Sequence, residues 1–233
     1  MVKVVYSNSN CIDIWNMFIS QEEQYSSIPL RAICNVSDFP IESDKLFLYN
    51  DADDYYEVWT KALLKFDSKY FIYLQEDFVL YDKINDKKID EYVNFLEENE
   101  KYSFVRLMKA GVNLSDKLIS DKLYEIEPTN PTIFGMQATI WRTSDYIKLM
   151  WSVQEKKWLE TEKYKEAMMK LGMYGLYHYD GEKKRGGSHW DSNVYPCIAT
   201  AIVRGKWNMR EYSEYLQPLA KKYNIDLNKR GIF

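Results

Sequence analysis

Hydrophobic and polar positions along the first half of the chain switch repeatedly between two periods. Val2 to Tyr6 is a short β-rich run. After the turn Ser7-Asn8-Ser9-Asn10, Cys11, Ile14, Trp15 and Phe18 recur at the i, i+3, i+4, i+7 spacing of a helix with one apolar face. Leu30 to Asn35 and Lys45 to Tyr49 read as the next two strands. Asn50 to Asp54 can cap a helix whose face is Tyr55, Val58, Trp59, Ala62, Leu63 and Phe66. Tyr70 to Leu74 is almost wholly apolar, as expected of a strand buried on both sides, and it stops at Gln75-Glu76-Asp77. Ile89, Tyr92, Val93 and Leu96 mark another helix, and Phe104 to Met108 a further strand. This β-α-β-α-β order predicts an α/β fold, with a mostly parallel central sheet and helices on both faces.

The second half is less regular. Leu123 to Ile126 and Gln137 to Trp141 read as strands, and Ser144 to Val153 as a helix. Tyr164, Ala167, Met168 and Leu171 give a helical face, and Gly181 to Ser188 a basic loop with glycines. Val194 to Arg204 reads as a strand pair or one long bent strand. Tyr212, Tyr215, Leu216 and Leu219 form a last helical face, in which Pro218 should kink or restart the helix. These strands predict a small mixed β extension. With no repeat, linker or low-complexity tract, residues 1–233 read as one domain, divided into halves 1–110 and 111–233.

Composition narrows the class. The 46% apolar content is that of a chain with a full core, and 20 Tyr, 10 Phe and 7 Trp make it rich in aromatics. The longest apolar run, Tyr195 to Val203, falls far short of the roughly twenty residues of a membrane span. The start has no secretory pattern, so a cytoplasmic location and no integral membrane segment are expected. A formal charge of −4 disfavours nucleic acid as a partner. Three scattered Cys and two His leave oxygen ligands as the chemistry of any metal site.

Right-handed crossovers place the loops after parallel strands on one sheet edge, where ligands bind. Ser7-Asn8, Asn50-Asp51 and Gln75-Glu76-Asp77 fall there. Adjacent carboxylates repel, so Glu76-Asp77 gains from a divalent cation shared with a phosphorylated ligand. Lys183 to Asp191 is either a surface turn or a lid over a diphosphate, in which His189 or Asp191 completes a metal shell. Arg204 and Lys206 could serve the same diphosphate. Gln137, inside an apolar strand, needs a partner for its amide, either backbone or a sugar hydroxyl. Trp141 is a core aromatic or a sugar platform. Glu160 and Glu162 sit in a Lys- and Glu-rich run that by itself reads as a solvated helix face.

Leu74-Gln75-Glu76-Asp77-Phe78 resembles the acidic metal motif of small nucleotide-sugar glycosyltransferases with the GT-A fold, with an amide in place of the first carboxylate. Phe104 to Leu107 with Gly111, Phe134 to Arg142, Trp158 to Glu162, and Tyr195 to Trp207 are similar to successive segments of the same group. The resemblance spans about residues 1–208. It implies a Mn²⁺ or Mg²⁺ ion on Asp77, and a nucleotide diphosphate sugar donor, UDP-type, held in the first half. It further implies a glycan or other hydroxyl acceptor in the second half, and inversion at the anomeric carbon with Glu160 or Glu162 as base, or else Asp191. Ser7, Asn8, Asn50 and Asp51 would line the base and ribose pocket. A non-catalytic carbohydrate-binding module is the competing reading, supported by the aromatic content. Nucleotidyl transfer ranks lower, because the loop after the first strand has neither Gly nor Lys.

Overall fold

The structure, a computed structural model, describes residues 1–156, 161–185 and 189–233. Strands β1 (Val2–Tyr6), β2 (Leu30–Cys34), β3 (Leu46–Leu48) and β4 (Tyr70–Gln75) alternate with helices α1 (Ile12–Tyr25) and α2 (Tyr55–Phe66). There follow β5 (Val79–Leu80), α3 (Asp86–Glu98), β6 (Tyr102–Arg106), β7 (Leu118–Ser120), β8 (Leu123–Ile126) and β9 (Thr139–Arg142). Next come α4 (Thr143–Val153), α5 (Thr161–Lys170) and β10 (Tyr174–His178). The chain ends with β11 (Cys197–Ile198), β12 (Ile202–Val203), β13 (Lys206–Trp207), α6 (Met209–Lys222) and α7 (Leu227–Arg230).

The main sheet runs β3-β2-β1-β4-β9-β6-β10-β8-β7. β1 to β4 are mutually parallel, and β6 and β10 are parallel to each other. β9 lies antiparallel between β4 and β6, and β7 and β8 add an antiparallel edge. The fold is therefore α/β with a mixed sheet. Side-chain alternation along the buried strands serves both faces. Ile72 and Leu74 pack with Trp15 and Phe18 of α1 and Ile89 and Leu96 of α3. Phe71 and Tyr73 pack with Trp59 of α2, Tyr146 of α4 and Tyr164 of α5.

Three expectations need correction. The run Val194 to Arg204 is neither one long bent strand nor two strands paired with each other. β11 pairs with β5, and β12 with β13, in two separate ribbons. The chain leading into β11 is held by side chains instead: Ser192 Oγ accepts from the backbone of Val194 and Tyr195, and the Tyr195 hydroxyl donates to buried Glu22 at 2.5 Å. α6 continues through Pro218, and its irregular residue is Tyr212. Pro218 and Glu214 are exposed, so the carbonyl freed by proline faces water. Gln137 precedes β9 and is half-buried, not a strand-interior amide.

Candidate functional site

The C-terminal ends of β1, β2 and β3 open on a cleft of about 530 Å³. Its floor is aromatic. Tyr6 and Tyr49, at or just past strand ends, stack at 5.3 Å, and Tyr55 meets Tyr6 edge-on at 5.1 Å. One wall is the short helical turn after β1, where Asn8 Oδ1 accepts from the Asn10 backbone. Beside it Asn35 donates to Asp51 at 3.0 Å, and its Oδ1 accepts from the Ser9 backbone. Asp53 and Lys156 complete the rim. The arrangement offers a flat aromatic surface, amides, two carboxylates and a rim lysine, a chemistry suited to a nucleobase and ribose.

The acidic turn abuts this cleft. Gln75, at the end of β4, is in register with Tyr6 of β1. Its amide donates to the Tyr73 hydroxyl at 3.2 Å and lies 3.6 Å from Met136 Sδ. Glu76 follows, with the Cys11 thiol near its carboxylate. Asp77 Oδ1 is buried and has no hydrogen-bond partner among the described residues. Burial first, then the charge of Glu76, pushes the Asp77 carboxyl up to about 8, and burial raises Glu76 as well. Arg230 of α7 is the cation that opposes both shifts. It forks onto Asp13 of α1 at 2.6 and 2.7 Å, and donates to the Asn10 carbonyl. A half-buried acid pair with one buried, orphaned oxygen fits a divalent cation better than an empty corner. Among the described residues no three His, Cys, Asp or Glu side chains converge on one point. Asp77, with Glu76 beside it, would hold such an ion, and phosphate and water oxygens would complete its shell.

Arg106, at the end of β6, is buried with no carboxylate partner among the described residues. It donates to the carbonyls of Ala110, Thr132 and Ile133, and burial lowers its pKa to about 10. It thereby fixes the segment that carries Met136 and Gln137 beside β4. A Cβ on Gly135 would lie 2.4 Å from Gln137 Oε1 and 3.0 Å from Arg106 Nη2, so the Gln137 side chain would have to shift to admit one.

The sequence-derived residues divide. Asn8 and Asp51 line the cleft. Ser7 is buried behind it, its hydroxyl taken by Trp15 Nε1 at 2.8 Å. Asn50 is exposed and spends its side chain on the Ala52 backbone. Trp141 is 2% exposed and packs on Phe104 and Tyr146, so it is a core residue and no sugar platform. Arg204 and Lys206 lie on the exposed β12–β13 turn, where Arg204 adopts φ 51°. His189 is buried against the Tyr212 hydroxyl at 3.1 Å and faces Glu211, Arg185 and Asp191, not the acid pair. Glu162 sits on the exposed face of α5 beside Lys165. Asp191 is ion-paired with Arg185, which is itself held between the rings of Tyr81 and Tyr215. Glu160, and the Gly186–Ser188 part of the basic loop, lie outside the described residues.

Tyr6, Asn35, Tyr49, Tyr55, Lys156 and Arg230 were not singled out from sequence. Tyr6, Asn35 and Tyr49 carried a usable signal, being the residues at which parallel strands end. Arg230 carried none, since it reaches the site from the opposite end of the chain.

No protein-family model matches the sequence, and no curated protein matches it. Solved structures do. The bifunctional IspDF of Campylobacter jejuni shares 11% identity at a TM-score of 0.47, with 84% of this chain covered. The chain spans about half of that protein, 52%. A putative glucose-1-phosphate thymidylyltransferase from Bacillus anthracis shares 11% identity at 0.47, with 99% of each chain covered. TarS 1-349 of S. aureus shares 13% at 0.45, covering 98% of this chain and 67% of that one. Each is a distant likeness of fold.

Proposed function

We propose that the chain transfers a sugar from a nucleoside diphosphate sugar, UDP-type, to a hydroxyl of a glycan or other acceptor, with Mn²⁺ or Mg²⁺ at the acidic turn. One observation carries this reading: the unpartnered, buried carboxylate oxygen of Asp77 stands beside an aromatic and amide-lined cleft at the sheet edge. The base would lie on Tyr6 and Tyr49, the ribose against Asp51 and Asn8, and the diphosphate between Asp77 and Arg230. The bound cation would supply charge stabilisation for the departing diphosphate. Arg230 adds a fixed positive charge on the same side. Within one unit, residues 1–110 would supply most of the donor site, joined by Lys156 and Arg230, and 111–233 most of the acceptor side. Of the candidate bases, Asp191 is ion-paired with Arg185, so Glu160 or Glu162 would remove the proton from the acceptor.

The test is Mn²⁺-dependent hydrolysis of UDP-sugars in the absence of acceptor. Asp77→Asn is expected to lower it at least 100-fold. Full activity in that variant refutes the assignment. A carbohydrate-binding module would bind sugar and give no response to UDP with Mn²⁺.

A further inference from the structure

The basic loop identified in the sequence does not serve the cleft as its cations are placed. Arg185 is consumed by Asp191. Lys184 instead joins Lys109, from outside the loop, at a second place along the same sheet edge. Lys109, three residues past β6, holds its ammonium 4.3 Å from the ring centroid of Tyr179 and 5.1 Å from that of Trp190. Lys184 approaches Trp190 at 5.3 Å. Tyr124 of β8 stacks on Tyr177 at 5.2 Å and lies 6.3 Å from Tyr179.

This cluster is built by the backbone. The Trp190 N–H donates to the Lys109 carbonyl at 3.0 Å, Lys184 bridges to Trp190, and His189 bridges to Ala110. The nearby acids already have cations or a histidine: Asp180 pairs with Lys122 at 2.7 Å, Glu182 with His178 at 2.9 Å, and Asp191 with Arg185. Among the described residues neither Lys109 nor Lys184 has a carboxylate partner. Aromatic faces orient an ammonium without neutralising it. Two positioned, uncompensated cations beside half-buried tyrosines attract an anion that also carries a ring surface.

Place adds to chemistry. Strand order puts β10 three steps from β4, roughly 14 Å at the usual strand spacing. Both Lys109 and Asp77 follow the C-terminal ends of their strands. The geometry points to an acceptor subsite: Lys109, Tyr179, Lys184 and Trp190 bind a saccharide that carries phosphate or carboxylate. This rests on the glycosyl-transfer reading of the cleft, whose acceptor it identifies as anionic.

The experiment is calorimetric titration of the full chain, without donor, using three probes. They are maltotriose carrying a terminal phosphate, trigalacturonate, and neutral maltotriose; the first two separate phosphate from carboxylate. At least one charged probe is expected to bind tenfold or more tighter than the neutral one. Lys109→Gln and Lys184→Gln each cut that preference severalfold, and together they remove it. Lys183→Gln, an exposed lysine of the same loop, leaves it unchanged. UDP with Mn²⁺ binds all variants alike. If neither charged probe is preferred, or the preference survives in the double variant, the subsite is wrong. Absence of any preference in the unsubstituted chain, with intact UDP binding, overturns this inference alone. Preference without any UDP binding overturns only the reading of the cleft.

Discussion

Asp77 shows how a site and a fold can compete for one residue. Its carboxyl is pushed up to about 8 because burial and Glu76 both oppose ionisation, and Oδ1 has no donor to offset them. Asp77→Asn keeps the shape and removes the charge. Its melting temperature in metal-free buffer at pH 8 is expected to equal or exceed that of the parent, while donor hydrolysis collapses. A large loss of stability would mean that Asp77 is a structural acid. The place of Glu76-Asp77 just past the end of β4 was legible in the sequence, because an apolar strand ended abruptly on two acids. The fate of Trp141 was not. A tryptophan in an alternating strand points to one face or the other, and only the sheet order shows that both faces of β9 are covered.

At the level of elements, the parallel half was readable because helix and strand periods alternate cleanly there. β10 escaped notice, since Tyr174-Gly175-Leu176-Tyr177-His178 contains a glycine that weakens any strand signal. That glycine is a packing requirement: a Cβ on Gly175 would stand 1.9 Å from the Phe104 ring on β6. Gly175→Ala is expected to destabilise the protein by about 1–3 kcal/mol in urea unfolding, and Phe104→Leu in the same chain to recover part of the loss. The neighbouring β8 carries a different dependence. Burial opposes the charge of Glu125, but hydrogen bonds from Lys101, Lys117 and Tyr102 outweigh it and hold the carboxyl at about 2. A lowered folded pKa stabilises above the unfolded value, near 4.5, and that contribution fades as pH falls toward 2. Glu125→Gln should flatten the unfolding free energy between pH 5 and 2, as followed by circular dichroism. A curve with the parent's slope would contradict the ion-pair assignment.

Across the whole molecule, the two ends of the chain meet at the candidate site. Arg230 binds Asp13 across 217 residues of sequence, and the Trp207 N–H donates to the Gly231 carbonyl at 3.0 Å. No local pattern announces such a closure, which is why the cation beside the acid pair was sought instead on Arg204 and Lys206. Arg230→Ala is expected to raise the donor KM roughly tenfold, the effect of losing one charge-assisted contact worth about 1.4 kcal/mol, with a smaller change in kcat. Unchanged donor kinetics would place Arg230 outside the donor site. The acids, the closing arginine and the aromatic floor all meet where a metal-bound diphosphate would lie, and that coincidence can be examined in one crystal. Diffraction at the manganese edge, from crystals grown with Mn²⁺ and UDP, should show an anomalous peak at coordination distance from Asp77 Oδ1, with the uracil on Tyr6 and Tyr49. UDP bound away from Asp77, or a peak elsewhere with that corner empty, would contradict it.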